Sequence, residues 1–325
     1  MQINRRRFLA ISAAAGTLAF GNTASAAPYR WQGTALGAKA SLLLHHPDKQ
    51  QAAKIVSACV AEISRLENIF SLYRQDSALV QLNKLGYLDH PPLELVQALA
   101  DCRRISDITG GAFDATVQPL WQLYAGHFSS IDPDPQGPST DKIALAMSRI
   151  DYRKIAIGSD RIEFGSAGMA ITLNGFAQGF ITDRIADLLR SEGMKNVLVD
   201  LGETRALDDH PAGRPWRVGI RDPKNISGAV RTLAVENLAV ATSGGYGQKF
   251  HASSPQHHLF DPKTGAASHR YASVTVMATR AATADALSTA LSSLPVTDAA
   301  TILRNSGAKA ALFLKEDGTF EDVRV

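Results

Sequence analysis

Residues 239–265 constrain the fold most, because they join a buried strand to a glycine-rich loop and then to a pair of histidines. The short apolar run 238–241 contains the β-branched Val240 and predicts a buried strand that ends at Thr242. The following residues are small or lack a Cβ atom, so their backbone N–H groups can approach an anion closely. The residues of this loop are Thr242, Ser243, Gly244, Gly245 and Gly247. The segment therefore predicts a phosphate-sized cradle at the end of a strand.

Two adjacent histidines follow this cradle. His257 and His258 precede the apolar residues Leu259 and Phe260, and residues 261–265 have the composition of a turn. Imidazole titrates near neutral pH, so the segment would place a base beside a phosphate site. The alternative is a glycine-rich hairpin with surface histidines, because short Gly/Ser motifs are weak signals on their own.

Hydrophobic periodicity predicts several amphipathic helices. Apolar residues spaced three and four apart indicate one helix over residues 49–70 and another over about 92–109. Shorter helices are predicted over about 140–147, from the turn 174–179 to Gly193, and after Thr283, which is expected to be an N-cap.

Short apolar or alternating runs predict strands between these helices. The runs predict hairpins at 29–44, at 155–157 with 162–164, and at 310–323, and single strands at 170–173, 197–201, 216–220, 233–235 and 273–277. This order predicts an α+β fold with mixed β-sheets and packed helices, not a purely parallel sheet.

The N-terminus has the features of an export signal. Residues 4–9 resemble a twin-arginine motif, an apolar run follows to residue 20, and residues 24–26 match a small-x-small cleavage site. We therefore expect a twin-arginine-type signal peptide over residues 1–26, one domain over 27–325, and a protein of the periplasm. An ordinary signal for export of an unfolded chain is the alternative. The apolar run is shorter than the ~20 residues of a membrane span, so no span is expected.

The charge balance argues against a nucleic-acid partner. Arg5, Arg6 and Arg7 account for the whole formal charge of +3, so the rest of the chain is close to neutral. Cys59 and Cys102 are the only two cysteines. An oxidising compartment would permit a disulfide if their Cα atoms lie within ~7 Å, and two buried free thiols are the alternative.

The helix predicted after Thr283 carries oxygen ligands for a cation. Asp285, Ser288 and Thr289 are three and four residues apart, so they share one face of a helix that is otherwise rich in alanine and leucine. Hard oxygen groups of this kind suit Mg²⁺, and they would also accept Mn²⁺ or Ca²⁺. The alternative is a helix start rich in capping residues.

Two further features suit a nucleotide ligand. Residues 174–179 (Asn-Gly-Phe-Ala-Gln-Gly) lead into a predicted helix, and the N-terminus of a helix favours a phosphate or pyrophosphate. Tyr73 lies in a polar loop between two predicted helices and could stack on a flat ligand. A half-buried packing role is the alternative for Tyr73.

Together, these motifs resemble the ApbE family of FAD:protein FMN transferases, and the resemblance covers nearly all of residues 27–325. The matching segments are Gly33-Thr34, Ser71-Leu72-Tyr73 with Asp76-Ser77 and Leu82-Asn83, Gly110-Gly111-Ala112-Phe113-Asp114-Ala115-Thr116, Ala241-Thr242-Ser243-Gly244, His258-Leu259-Phe260-Asp261-Pro262-Lys263-Thr264-Gly265 and Thr283-Ala284-Asp285.

The resemblance implies an ApbE-like flavin transferase fold and a Mg²⁺-dependent enzyme. Such an enzyme cleaves the pyrophosphate of FAD, attaches FMN through a phosphoester to a threonine or serine of a partner protein, and releases AMP. The acid–base histidine of the family corresponds to His258. Its metal ligands correspond to Asp285, Thr289 and the backbone carbonyl of Gly175, with Ser288 where some members have another acid. Its flavin contacts correspond to Tyr73, Ala112, Phe113 and Asp114.

The chain departs from the family pattern at Thr172 and Gln178, which stand where many members have charged FAD contacts. The form Asn-Gly-x-Ala-Gln-Gly at 174–179, the segment 199–203 and the twin-arginine leader resemble the NosX branch, which is associated with nitrous oxide reduction. The implied partners are FAD and the periplasmic flavin-acceptor domain of a NosR-like membrane protein.

Two other functions remain open at this point. A periplasmic protein that binds FAD without transferring FMN is compatible with the neutral Thr172 and Gln178. A zinc hydrolase would use His45, His46, His257 and His258, although adjacent histidines point in different directions and no His-x-x-x-His spacing occurs.

Overall fold

The computed structural model describes residues 28–225, 228–252 and 254–325. The predicted signal peptide over residues 1–26 lies outside the described residues. Within the described part of the chain, no helix combines the length and the apolar character that crossing a membrane requires.

The strands of the described chain form three antiparallel sheets. They are β1 (Tyr29–Ala35), β2 (Ala38–Leu44), β3 (Tyr87–Asp89), β4 (Ile155–Ile157), β5 (Arg161–Phe164), β6 (Val197–Asp200), β7 (Thr204–Leu207), β8 (Trp216–Arg221), β9 (Ala229–Val235), β10 (Ala239–Ser243), β11 (Ser273–Ala278), β12 (Ala310–Leu314) and β13 (Phe320–Arg324). The main sheet has the order β1-β2-β6-β7-β10-β11-β12-β13. A smaller sheet has the order β3-β5-β4, and β8 pairs with β9.

Helices occupy the segments between these strands. They are α1 (Lys49–Phe70), α2 (Ala78–Leu85), α3 (Leu93–Ile108), α4 (Gln118–Phe128), α5 (Thr140–Met147), α6 (Ala177–Ser191), α7 (Ala281–Leu291) and α8 (Val296–Ser306). The first begins where the carboxylate of Asp48 accepts the backbone N–H groups of Gln50 and Gln51.

The main sheet separates two apolar cores, because side chains alternate between the faces of each strand. On β11, Val276 belongs to the larger core and Met277 to the opposite face. On β12, Phe313 belongs to the larger core and Leu312 to the opposite face. The larger core includes the apolar faces of α1, α3, α6 and α7, and the β8-β9 hairpin covers the opposite face, with Trp216 among its buried residues.

A third, smaller cluster holds the segment that follows the histidine pair. It consists of residues from α4 and α5 together with Phe260, whose ring centroid lies 4.9 Å from that of Tyr124. Phe260 therefore attaches the histidine loop to α4.

The predicted α+β class is confirmed. The predicted helices over 49–70, 92–109 and 140–147 correspond to α1, α3 and α5, and both predicted terminal hairpins are present. Helices α2, α4 and α8 were missed. Cys59 and Cys102 are both buried free thiols, so the disulfide that the sequence left open does not form in this structure.

The predicted strand over residues 170–173 is wrong. Its backbone groups bond to a side chain and a loop instead of a neighbouring strand, since the side-chain amide of Asn83 pairs with both the N–H and the carbonyl of Ile171. The N–H of Thr172 donates to the carbonyl of Ala115 at 2.8 Å. These bonds replace a strand ladder and tie the loop before α6 to the loop before α4.

The predicted N-cap at Thr283 is also wrong, because α7 begins two residues earlier, at Ala281. The cap comes from another helix: the carboxylate of Asp183 in α6 accepts the backbone N–H groups of Ala281 at 2.8 Å and Ala282 at 3.1 Å. Local sequence could not reveal this cap, since 98 residues separate Asp183 from Ala281.

Helices α6 and α7 cap each other. The Asp183 carboxylate serves the N-terminus of α7, and the Asp285 carboxylate of α7 accepts the N–H of Gly179 at 3.2 Å, in the first turn of α6. The helices can approach this closely because a Cβ atom at Gly179 would overlap the backbone of Ala281. Arg205 pairs with Asp183 at 2.6 Å.

We expect Asp183→Ala to lower the free energy of unfolding by about 3–5 kcal/mol, because it leaves a mostly buried guanidinium and two helix N–H groups without their acceptor. Asp187→Ala is the matched control, since Asp187 lies 3.7 Å from the same Arg205 but its side chain is exposed. Its effect should stay within about 0.5 kcal/mol. Urea denaturation measures both, and equal effects would contradict the assignment.

Candidate active site

One cavity brings together residues from distant parts of the chain. Its lining extends from Leu36 to Thr289 in the sequence. The predicted site residues that line it are Tyr73, Ala112, Phe113, Asp114, Thr172, Gly175, Gln178, Thr242, Ser243, His258, Asp285 and Thr289.

Two predicted site residues do not line this cavity. Ser288 is fully buried; its hydroxyl donates to the backbone carbonyl of Asp285 at 2.9 Å and lies 2.7 Å from the hydroxyl of Ser243. Gly244 packs against the Tyr246 ring. Ser288 thus holds the Ser243 hydroxyl through a hydrogen bond without facing the cavity itself.

One end of the cavity collects oxygen atoms from three segments. Asp285 and Thr289 lie one turn apart on α7, and Ser243 Oγ is 3.3 Å from Thr289 Oγ1. The backbone of Gly175 approaches so closely that a Cβ atom there would lie 2.7 Å from Thr289 Oγ1. A carboxylate, two hydroxyls and backbone carbonyls are the donors that a hard cation prefers, so these residues fit Mg²⁺.

This end of the cavity is also acidic. Burial raises the pKa of Asp285 to about 7. Burial and the neighbouring Asp285 and Asp200 raise the pKa of Glu203 well above its usual range. A bound cation would favour the ionised form of both carboxyls.

A zinc centre lacks its ligands here. Among residues 28–225, 228–252 and 254–325, no group of three or more His, Cys, Asp or Glu side chains could hold a metal ion. The ring of His45 packs near His210, at 6.1 Å between centroids, whereas His257 packs near His258 and His269.

His258 is arranged to act as a base. Its Nδ1 lies 3.1 Å from the backbone carbonyl of Gln248, which can only accept, so Nδ1 carries the proton and Nε2 keeps its lone pair. The backbone N–H of His258 donates to the same carbonyl at 3.2 Å. Burial lowers the pKa of His258, so the imidazole is neutral at pH 7.

His257 has a different environment. Its Nδ1 accepts the N–H of Leu259 at 3.3 Å, and its ring fills the space where a Cβ atom of Gly245 would lie. Burial, followed by the charges of His258 and His269, lowers the pKa of His257 to about 3. His257 thus packs the glycine-rich loop against the histidine segment as a neutral side chain.

The opposite end of the cavity is more apolar. Phe113 and Ala112 are buried in its wall, while Tyr73 is 53% exposed at its rim, which suits stacking on a flat ring. The carboxylate of Asp114 accepts the N–H and hydroxyl of Thr116 and the N–H of Tyr152. Asp114 therefore holds its own loop in place.

Thr172 and Gln178 flank the turn that leads into α6. The Thr172 hydroxyl accepts the N–H of Asn174 at 3.2 Å. The Gln178 amide packs over Gly202, where a Cβ atom would lie 2.8 Å from the amide nitrogen. Both side chains face the cavity without bringing a charge to it.

Sequence reasoning missed several residues of the cavity wall. Gln248 orients His258, and Glu203 places a second carboxyl group near Asp285. Trp121 and Phe260 close the apolar side. A buried acid directly after Leu201-Gly202 was the available signal for Glu203, whereas Gln248 acts through its backbone and leaves no signature in the sequence.

The model of the ApbE family matches residues 34–313. The chain belongs to the ApbE family. The matched region contains every residue that lines the cavity.

Two relatives found by sequence share the same name. A protein from Treponema pallidum named FAD:protein FMN transferase is 30% identical to this chain, and the alignment covers 83% of this chain and 80% of the relative. A protein of the same name from Haemophilus influenzae is 28% identical over 77% of this chain and 75% of its own length.

Solved ApbE structures have the same fold. The ApbE protein from Thermotoga maritima matches with a TM-score of 0.79 and 26% identity, covering 90% of this chain and 96% of that one. The flavinyl transferase ApbE from Pseudomonas stutzeri, in its apo form, matches with a TM-score of 0.76 and 25% identity, covering 91% and 94%.

Because His257 is buried and neutral in the folded chain, we expect the free energy of unfolding to fall as the pH is lowered. Because its pKa is about 3 in the folded chain and near 6.5 when unfolded, the unfolded state binds more protons below pH 6.5. The stability from this group is complete above pH 6.5 and is lost as the pH falls towards 3. Within that window, we expect a loss of about 1.4 kcal/mol of unfolding free energy per pH unit.

Denaturation of the wild type and of His257→Asn between pH 7 and 4 measures this contribution. The variant, which cannot take up the proton, should show a smaller dependence of stability on pH. An identical slope in both proteins would assign the acid sensitivity to other groups.

Proposed function

We propose that this chain is an FAD:protein FMN transferase that acts on a periplasmic acceptor. The observation that carries the proposal is the cavity, where the oxygen donors of Asp285, Thr289 and Gly175 share one space with the unprotonated Nε2 of His258. The named activity of the family relatives supports the same reaction.

The reaction exchanges the phosphoanhydride bond of the FAD pyrophosphate for a phosphoester bond. The hydroxyl oxygen of an acceptor threonine or serine attacks the phosphorus of the FMN half of FAD. The bond from that phosphorus to the bridging oxygen breaks, and AMP leaves with that oxygen. FMN remains joined to the acceptor through a phosphoester.

His258 takes the proton of the attacking hydroxyl. A hydroxyl is a poor nucleophile until a base removes its proton, and Nε2 of His258 is the available lone pair. Because its pKa lies below the usual range, His258 needs no deprotonation at neutral pH before it can act. The Gln248 carbonyl keeps the ring in the tautomer that this step requires.

Asp285, Thr289 and the Gly175 carbonyl would hold Mg²⁺. Bound there, the cation would neutralise the phosphate charge and make phosphorus more electrophilic. Ser243 also lines the cavity and would offer its hydroxyl to a phosphate oxygen. Tyr73 and Phe113 would bind the isoalloxazine ring at the apolar end.

The proposed setting is the periplasm, reached through a twin-arginine signal over residues 1–26. The support lies in the sequence: the arginine motif, the apolar run and the small-x-small site. The Asn-Gly-x-Ala-Gln-Gly form at 174–179 supports the NosX-like branch. We therefore propose the flavin-acceptor domain of a NosR-like membrane protein, in nitrous oxide reduction, as the partner.

One experiment tests this reaction directly. Purified protein is mixed with FAD, Mg²⁺ and the periplasmic domain of a candidate acceptor, and acceptor mass and AMP are followed. We expect an FMN-sized gain in acceptor mass with one AMP released per acceptor. Asp285→Ala or chelation of the cation should abolish both.

The neutral Thr172 and Gln178 favour one rival, a protein that holds FAD without cleaving it. This rival predicts that FAD stays intact and bound at one equivalent while the acceptor mass is unchanged. A parallel reaction with an active ApbE relative on the same acceptor excludes a defective acceptor.

Removing the base should slow transfer without removing FAD binding. We expect His258→Ala to lower the transfer rate by about 10²–10⁴-fold. The control is His251→Ala, which removes an exposed histidine from the same loop and should retain the wild-type rate. A wild-type rate in His258→Ala would exclude His258 as the base.

A further inference from the structure

Glu203 reaches the cavity through a tight turn between β6 and β7. The backbone N–H of Leu201 donates to the Glu203 carbonyl at 3.1 Å, and Gly202 between them has φ +106°, a conformation that favours glycine. The turn directs the Glu203 side chain inward, where it is 6% exposed and lines the cavity together with Asp285.

The surroundings of this carboxylate are acidic. Its hydrogen-bond donor is the backbone N–H of Thr242, next to Ser243 of the cation end. The charged groups of the described chain that act on it are Asp285 and Asp200, which are both acids. Two buried carboxylates that face each other without a positive partner repel one another, and a cation between them removes the repulsion.

We propose that Glu203 is the second acidic group of the cation site and binds the same divalent ion as Asp285. This inference rests on the proposed cation-dependent transfer. It gives the ion two negative side chains in place of one, and it links the β6-β7 turn to α7 across the cavity.

The neighbouring polar residues are less suited to this role. Asp200 does not line the cavity, and the positive charge of Arg221 acts on it. Ser288 also lies outside the lining, with its hydroxyl engaged by Ser243 and the Asp285 carbonyl. Glu203 is therefore the acid, besides Asp285, that lines the cavity within electrostatic reach of the proposed ion.

Cation binding can be measured without FAD or turnover. The full chain is titrated with Mn²⁺, and free Mn²⁺ is counted by electron paramagnetic resonance for the wild type and three variants. Glu203→Gln keeps the size of the side chain and removes its charge; Glu203→Asp keeps the charge. Asp200→Asn is the matched control, because it neutralises a buried acid of the same turn outside the cavity.

We expect Glu203→Gln to weaken Mn²⁺ binding by about 10- to 100-fold, the range seen when groups around a metal site are removed. Glu203→Asp should bind more tightly than Glu203→Gln, and Asp200→Asn should bind as the wild type does. The metal-free Glu203→Gln protein should melt at the wild-type temperature or above it, because the variant removes a buried acid that has acidic neighbours.

Each other outcome counts against the proposal. Wild-type affinity in Glu203→Gln would overturn it while leaving the cation-dependent transferase intact. A lower melting temperature of metal-free Glu203→Gln would make the carboxylate a structural group. A wild-type protein that binds no Mn²⁺ would overturn the cation role of Asp285 as well, so the two failures are distinguishable.

Discussion

The arrangement of this site depends on the exchange of carboxylates between α6 and α7. Asp183 of α6 caps the first N–H groups of α7, and Asp285 of α7 accepts an N–H in the first turn of α6. A helix N-terminus has unpaired N–H groups and a partial positive charge, so each carboxylate satisfies donors that would otherwise be buried without partners. The contact fixes where Asp285 and Thr289 stand relative to Gly175, and it requires Gly179 where the two backbones meet.

The same contact explains the electrostatics of the cavity. The capping bond of Asp285 occupies one of its carboxylate oxygens, so the charge stays buried beside Glu203, and burial raises the pKa of both. Burial lowers the pKa of His258, in contrast, and so keeps its imidazole neutral. An acidic end that attracts a cation and a neutral base therefore share one cavity.

Local patterns were sufficient for most elements and for many site residues. Periodic apolar residues located α1 and α3, and the Thr/Ser/Gly run at the end of β10 located part of the cavity wall. Errors arose where distant residues replaced local partners. The Asn83 amide takes the backbone bonds of the expected strand at 170–173, and Asp183 caps α7 in place of Thr283. Ser288 lies on the same face of α7 as Asp285, but its hydroxyl contacts Ser243 and does not reach the cavity. Helical spacing predicts which residues share a face, and it does not predict which residues of other elements they contact.

The sequence by itself determined the family, the α+β class and most of the residues that line the cavity, since these follow from short motifs and from periodicity. Tertiary structure alone decided which of those residues meet and in which state. It places the Gln248 carbonyl where it fixes the tautomer of His258, and it brings Glu203 near Asp285 although 82 positions separate them. The reason is physical: hydrogen-bond partners, burial and pKa depend on distances in space, and the packing of the sheet, α6 and α7 sets those distances.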